Sequence, residues 1–88
     1  MKIKDGFVLH CVANAWVVLP YGSATIDFNS IIKLNESGVL LWKALEKDCD
    51  SDTLVKMLLN EYEIDNKTAC SDVNAFIEEL IEVGCIEI

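Results

Sequence analysis

The hydrophobic pattern of this chain changes its period once. Residues 7–12, Phe-Val-Leu-His-Cys-Val, and residues 15–20, Ala-Trp-Val-Val-Leu-Pro, are short runs rich in Val, Leu and aromatic residues, separated by Ala13-Asn14. Runs of this length and composition predict two strands joined by a hairpin turn. Asn14 tolerates a positive φ, but no glycine follows it, so the turn type stays open. Pro20-Tyr21-Gly22-Ser23 interrupts the pattern, because proline lacks a donor and glycine permits unusual backbone angles. Residues 24–28 form a weaker extended stretch containing Thr25 and Ile26, and Ile31–Leu34 reads as the next strand. The expectation is an antiparallel sheet of three or four short strands with at least one open edge.

From residue 35 the apolar positions follow a helical period. Asn35 suits an N-cap, since its side chain can accept from an amide two or three residues on, and Glu36 then sits at the positive end of the helix dipole. A first helix is predicted from Glu36 to about Lys47, with Val39, Trp42 and Leu45 forming a stripe widened by Leu41. Gly38 in its first turn costs about 0.8–1 kcal/mol relative to Ala in a helix interior, which points to close packing of the backbone there. Residues 48–52 form a polar link, with Ser51 as the expected next N-cap. A second helix then buries Leu54, Met57, Leu58 and Tyr62, flanked by Val55 and Leu59, and ends near Tyr62. A third runs from about Lys67 to Val83, capped by Asp65 or Asn66, with Cys70, Val73, Phe76, Ile77, Leu80 and Ile81 as its apolar positions. Gly84 falls where a left-handed C′ residue belongs, and residues 85–88 alternate as a short terminal strand would. Strands followed by three helices predict an α+β, winged helix-turn-helix-like domain with its β-wing first. At 88 residues the whole of 1–88 is expected to be one domain.

Charge narrows the function. Residues 1–34 carry three lysines against two acids, residues 35–88 carry four lysines against thirteen acids, and there is no arginine. Nucleic-acid affinity rests on Lys and Arg neutralising phosphates, and anionic membranes require the same cations, so neither partner is expected. Most of the acids serve solubility, and a minority could steer a basic peptide or enzyme. No stretch approaches the roughly 20 apolar residues that span a bilayer. Met-Lys-Ile-Lys-Asp-Gly is not a secretion signal, so the expected compartment is cytoplasmic, with reduced thiols.

Candidate chemistry is sparse. Cys11, Cys49, Cys70 and Cys85 are scattered without a short paired spacing, so they read as small hydrophobes rather than zinc ligands. The single histidine, His10, neighbours Cys11 on a strand, where adjacent side chains point to opposite faces and form no dyad. Asp48, Asp50 and Asp52 alternate like the start of a calcium loop. The required glycine at the sixth position is missing, and the acids read as a solvated link. The four glycines are isolated and build no phosphate cradle. Trp16 and Trp42 lie on a strand and on an apolar helix stripe, positions that suit a core better than a stacking platform. The chain is read as a non-enzyme with no metal and no cofactor.

The run Leu34-Asn35-Glu36-Ser37-Gly38 at the junction of sheet and helices, the Leu41-Trp42 pair, the Leu54…Leu58-Leu59…Tyr62 helix, and Asp72-Val73…Phe76…Leu80…Gly84 occur in an order and spacing that resembles the coenzyme PQQ synthesis protein D (PqqD-like) family. The resemblance covers roughly Gly6 to Ile86. Ser23–Asn29 looks like an insertion found in some members of the family, which leaves the third strand's limits open. The resemblance implies a precursor-peptide recognition element. Such a domain binds the leader of a ribosomally made precursor peptide as an added strand on a sheet edge, against the third helix. It presents that leader to a modifying enzyme, often a radical S-adenosylmethionine protein. Strand addition supplies affinity through main-chain hydrogen bonds and specificity through pockets for alternate side chains.

On this chain the candidate edge is Ile31, Ile32 and Lys33. Helical periodicity sends Val73, Phe76 and Leu80 to the core and puts Asn74, Ile77, Glu78 and Ile81 about a quarter-turn round, where they could floor a peptide groove. Ile77 and Ile81 fit equally well as part of a wide core stripe. Leu34, Gly38, Trp42 and Phe76 are motif residues expected to hold the fold, and Lys33 either pairs with an acidic leader residue or is a solvated edge lysine. Two other readings stand beside this one. A winged-helix DNA-binding regulator would present cations on its third helix, which here offers only Lys67 against Asp72, Glu78, Glu79 and Glu82. A protein–protein adaptor would show a flat apolar patch rather than a groove. Monomer and dimer are both compatible with an open edge.

Overall fold

The structure, a computed structural model, describes residues 1–21 and 32–87. The extended stretch expected at 24–28, and Ile31, lie outside the described residues. The elements are β1 (Lys2–Ile3), β2 (Phe7–Val12), β3 (Ala15–Pro20), β4 (Ile32–Leu34), α1 (Glu36–Leu45), α2 (Ser51–Glu61), α3 (Asn66–Val83) and β5 (Ile86–Glu87). This is the α+β, winged-helix-like order that the sequence predicts.

Strands β2, β3 and β4 form an antiparallel sheet in that order. The β2–β3 turn is tight, with Ala13 at φ 50° and Asn14 at φ 65°. Two successive positive φ values characterise a type I′ turn, whose twist matches that of the strands it joins. Register assigns the faces. Leu9, Val18 and Ile32 share one row, and Cys11, Trp16 and Leu34 share the next row on that face. His10, Val17 and Lys33 lie between them on the opposite face. Val18 and Ile32 enter the core, while His10 and Cys11 are both exposed and lie on opposite faces of the hairpin. A second, two-stranded sheet pairs β1 with β5, Lys2 opposite Glu87 and Ile3 opposite Ile86. The pattern foresaw β5 but not β1, whose two residues carry no readable alternation.

The three helices close over the sheet through one apolar cluster. Leu41, Trp42 and Leu45 of α1 meet Leu54 and Leu58 of α2, Ala69, Val73 and Leu80 of α3, Ile3 and Ile86 of the terminal strands, and Cys85 just before β5. Burial pushes the Cys85 thiol up to about 11, so it stays protonated and packs as a small hydrophobe. Its Sγ donates to the Leu80 carbonyl at 3.7 Å.

The helix boundaries are set by caps. Asn35 Oδ1 accepts from the Gly38 amide at 2.8 Å and from Ser37 Oγ at 3.0 Å. Helix α1 stops two residues earlier than the pattern suggested. Its last turn tightens, with Lys47 N donating to Ala44 O, an i→i−3 bond. The second cap is Asp50, not Ser51. The Asp50 carboxylate accepts both the Thr53 amide at 2.9 Å and the Thr53 hydroxyl at 2.7 Å, a double bond set that starts α2 one residue sooner. Asp65 caps α3 by accepting from the Thr68 amide at 2.7 Å. The α1–α2 link carries a further tie, because the Met1 ammonium donates to Asp48 Oδ1 at 2.8 Å and to the Cys49 carbonyl at 2.9 Å. Gly84 ends α3 at φ 81°, as expected of a left-handed C-cap. Among the described residues no helix is long and apolar enough to cross a membrane.

Candidate functional site

The junction motif builds the wall of a groove. Strand β4 runs directly into the Asn35 cap, so the end of the sheet and the first turn of α1 are held together by one hydrogen-bonded corner. Gly38 permits this closeness: a Cβ there would lie 3.2 Å from Asn35 Oδ1 and 3.3 Å from Leu34 Cβ. Beyond the corner, α3 passes alongside and leaves a cleft of about 870 Å³.

Its sheet side is Asn14, Ala15 and Trp16 at the hairpin end with Lys33 and Leu34 of β4, and its far wall is Asp72, Ala75, Phe76 and Glu79 of α3. Leu41 and Leu58 contribute from the core. The α3 residues follow i, i+3, i+4, i+7 spacing, which is one helix face. A smaller cavity of about 360 Å³ shares Asn35, Glu36, Ser37, Leu58 and Asp72 with this cleft and adds Tyr62 and Ile64. The floor is thus apolar and the rim is charged.

Strand β4, last in the described sheet, borders this cleft through Lys33 and Leu34. In the order β2-β3-β4, β4 has one described neighbour, so among the described residues its other side presents backbone donors and acceptors. The Lys43 ammonium lies 5.5 Å from the Trp16 ring centroid, a cation–π contact that places α1 over the hairpin end. Trp42 is a core residue at 2% exposure, whereas Trp16 is half-buried and borders the cleft.

Of the residues singled out from sequence, Lys33 borders this cleft. Ile32 turns its side chain into the core at 4% exposure, leaving its main chain at the β4 edge. Asn74, Ile77, Glu78 and Ile81 are not among the cleft residues. They repeat the spacing of Asp72, Ala75, Phe76 and Glu79 two positions later, about 200° round the helix. Asn74 and Glu78 are exposed, Ile77 packs against the core cluster, and Ile81 is 46% exposed. Phe76 does two things, packing against the core cluster and lining the cleft. Periodicity located the core stripe of α3 but not which flank turns toward the sheet. Ala75 and Glu79 carried no signal of their own, since an alanine and a glutamate on a helix read as ordinary surface.

The described residues hold no group of three or more His, Cys, Asp or Glu placed to bind a metal ion. Among the described residues, what the cleft offers is a strand with one unpaired side, an apolar floor and fixed charge.

Residues 15–86 match the family model described as coenzyme PQQ synthesis protein D (PqqD). The chain belongs to the PqqD family. The matched span runs from the start of β3 to β5 and so includes the β4–α1 corner and the α3 wall. Two solved structures share the fold of this PqqD-family chain. One is TbiB1 in complex with the TbiA(beta) leader peptide, 24% identical, covering 99% of this chain and 95% of that one, with a TM-score of 0.77. The other is lasso peptide synthetase B1 complexed with the leader peptide, 20% identical, covering 96% and 93%, with a TM-score of 0.74. No curated protein matches the sequence significantly.

Proposed function

We propose that this chain is a non-catalytic recognition domain that binds the leader segment of a precursor peptide in the cleft between β4 and α3 and presents it to a modifying enzyme. The observation that carries the reading is the cleft itself: a strand edge unpaired among the described residues lies beside an apolar floor, where an extended peptide can add a strand and bury alternate side chains. Membership of the PqqD family supports it, as does the fold shared with two proteins whose structures hold leader peptides. A concave cleft rather than a flat patch favours this over an adaptor role. The third helix presents exposed Asp72, Glu78, Glu79 and Glu82, which disfavours a nucleic-acid partner. In this reading the contact residues are the β4 main chain at Ile32 and Lys33 together with Asp72, Ala75, Phe76 and Glu79. The partner is a peptide-modifying enzyme, a radical S-adenosylmethionine protein being the type the family suggests, and the domain acts in the cytoplasm.

Ala75 provides the test. It is exposed and lies on the cleft wall, so Ala75→Trp fills the groove without disturbing the core. Leader segments of small peptides encoded beside the gene serve as probes in calorimetric titration. The variant is expected to keep its circular dichroism and melting temperature and to lose binding at least about tenfold, the equivalent of 1.4 kcal/mol. Unchanged affinity in a folded Ala75→Trp variant would place the site elsewhere.

A further inference from the structure

The charge lining the cleft is one-sided. Glu36 stands in the first turn of α1, and Asp72 and Glu79 stand two turns apart on the same face of α3. Against these three carboxylates the described lining has one cation, Lys33. Among the described residues the ion pair present joins the Met1 ammonium to Asp48, so none of the three cleft carboxylates is neutralised by a lysine. Elsewhere on the helices an excess of acid is ordinary solubilising surface. Here the three carboxylates, each exposed, border one concave space together with Leu41, Leu58 and Phe76, so their like charges add at a single place. Glu36 and Asp72 also border the smaller cavity floored by Leu58, Tyr62 and Ile64, so negative charge and an apolar pocket meet at one place. Phe76 lies between Asp72 and Glu79 along the helix and presents an aromatic surface to the same space.

We infer that the peptide taken by this cleft carries a lysine or arginine that sits among Glu36, Asp72 and Glu79, beside a large apolar residue entering the Leu58–Tyr62–Ile64 pocket. This rests on the peptide-binding reading above and adds the chemical class of the peptide. An acidic leader would face three like charges, and in the described lining the cation available to pair with it is Lys33. A basic side chain gains charge-assisted contact, and its aliphatic stem covers the apolar wall. The helical two-thirds of the chain, with thirteen acids against four lysines, steers such a peptide toward the site at low salt.

The experiment is a selection from a random peptide library by mRNA display against the full chain, counter-selected against Ala75→Trp so that only cleft binders remain. Recovered peptides are expected to carry Lys or Arg at a fixed spacing from an apolar anchor. Replacing that cation by Met in a synthetic copy should weaken binding about tenfold or more. Selection on the Asp72→Lys/Glu79→Lys variant should reverse the preference toward Asp and Glu. The milder Asp72→Asn/Glu79→Gln pair should abolish it if the reversed variant folds poorly. Cleft binders without basic enrichment would overturn this inference and leave peptide binding standing. Failure to recover any binder sensitive to Ala75→Trp would overturn both.

Discussion

At the scale of single residues, the corner between β4 and α1 concentrates the most consequence in the fewest atoms. Asn35 satisfies the Gly38 amide, and Ser37 fixes the same oxygen from its hydroxyl. Asn35→Ala should therefore cost about 1 kcal/mol of stability, the usual worth of an N-cap. Gly38→Ala tests the packing. The methyl would gain up to about 1 kcal/mol in helix preference. It would also stand 3.2 Å from Asn35 Oδ1 and 3.3 Å from Leu34 Cβ. Neither neighbour can retreat, because the first is held by two hydrogen bonds and the second is tied to the backbone of a paired strand. Overpacking of this kind costs about 1–3 kcal/mol, so the net effect should be destabilisation of about 1 kcal/mol. Urea denaturation measures both variants, and a Gly38→Ala protein more stable than the parent would show that the corner has room to relax.

At the scale of elements, α2 and α3 start on carboxylate caps, and this makes them sensitive to acid. The Thr53 hydroxyl and amide hold the Asp50 carboxyl below its ordinary range, and Thr68 does the same for Asp65. A carboxylate whose pKa is lower in the folded chain contributes stability above its unfolded value, about 3.9, and loses it as pH falls through the folded value. Thermal stability should thus decline as pH drops below about 4. The Asp50→Asn/Asp65→Asn variant, which keeps two neutral caps, should show a shallower decline. An identical pH profile would assign the acid sensitivity to other groups.

The elements also show what a sequence can reveal. Caps, apolar stripes and the Gly84 stop are local, and all three helices could be placed within a residue or two. The choice of Asp50 over Ser51 turned on a second bond from Thr53 that spacing alone does not announce. Strand β1 was invisible because it exists only through pairing with β5, at the other end of the chain. The flank of α3 that faces the sheet was equally illegible. Val73 and Leu80 mark its buried centre line, but rotation to one side or the other is a tertiary choice, so Asp72 and Glu79 gave no sign of lining a cleft.

At the scale of the whole molecule, the described fold places a strand edge without a second partner, an apolar floor and an excess of carboxylates around one space. An acidic helical layer lies against a nearly neutral sheet, and the cleft runs along their boundary. In this reading a peptide engages β4 by its main chain at Ile32, whose side chain is buried in the core, with Lys33 and Leu34 lining the cleft beside it. That distinguishes strand addition from docking on α3 alone. The most direct measurement is amide hydrogen exchange of residues 32–34, with and without a saturating leader segment encoded beside the gene. Amides along β4 should gain protection as a new strand pairs with that edge, together with slower exchange or shifted resonances at residues 72–79. Saturated binding that leaves the exchange of residues 32–34 unchanged would contradict it.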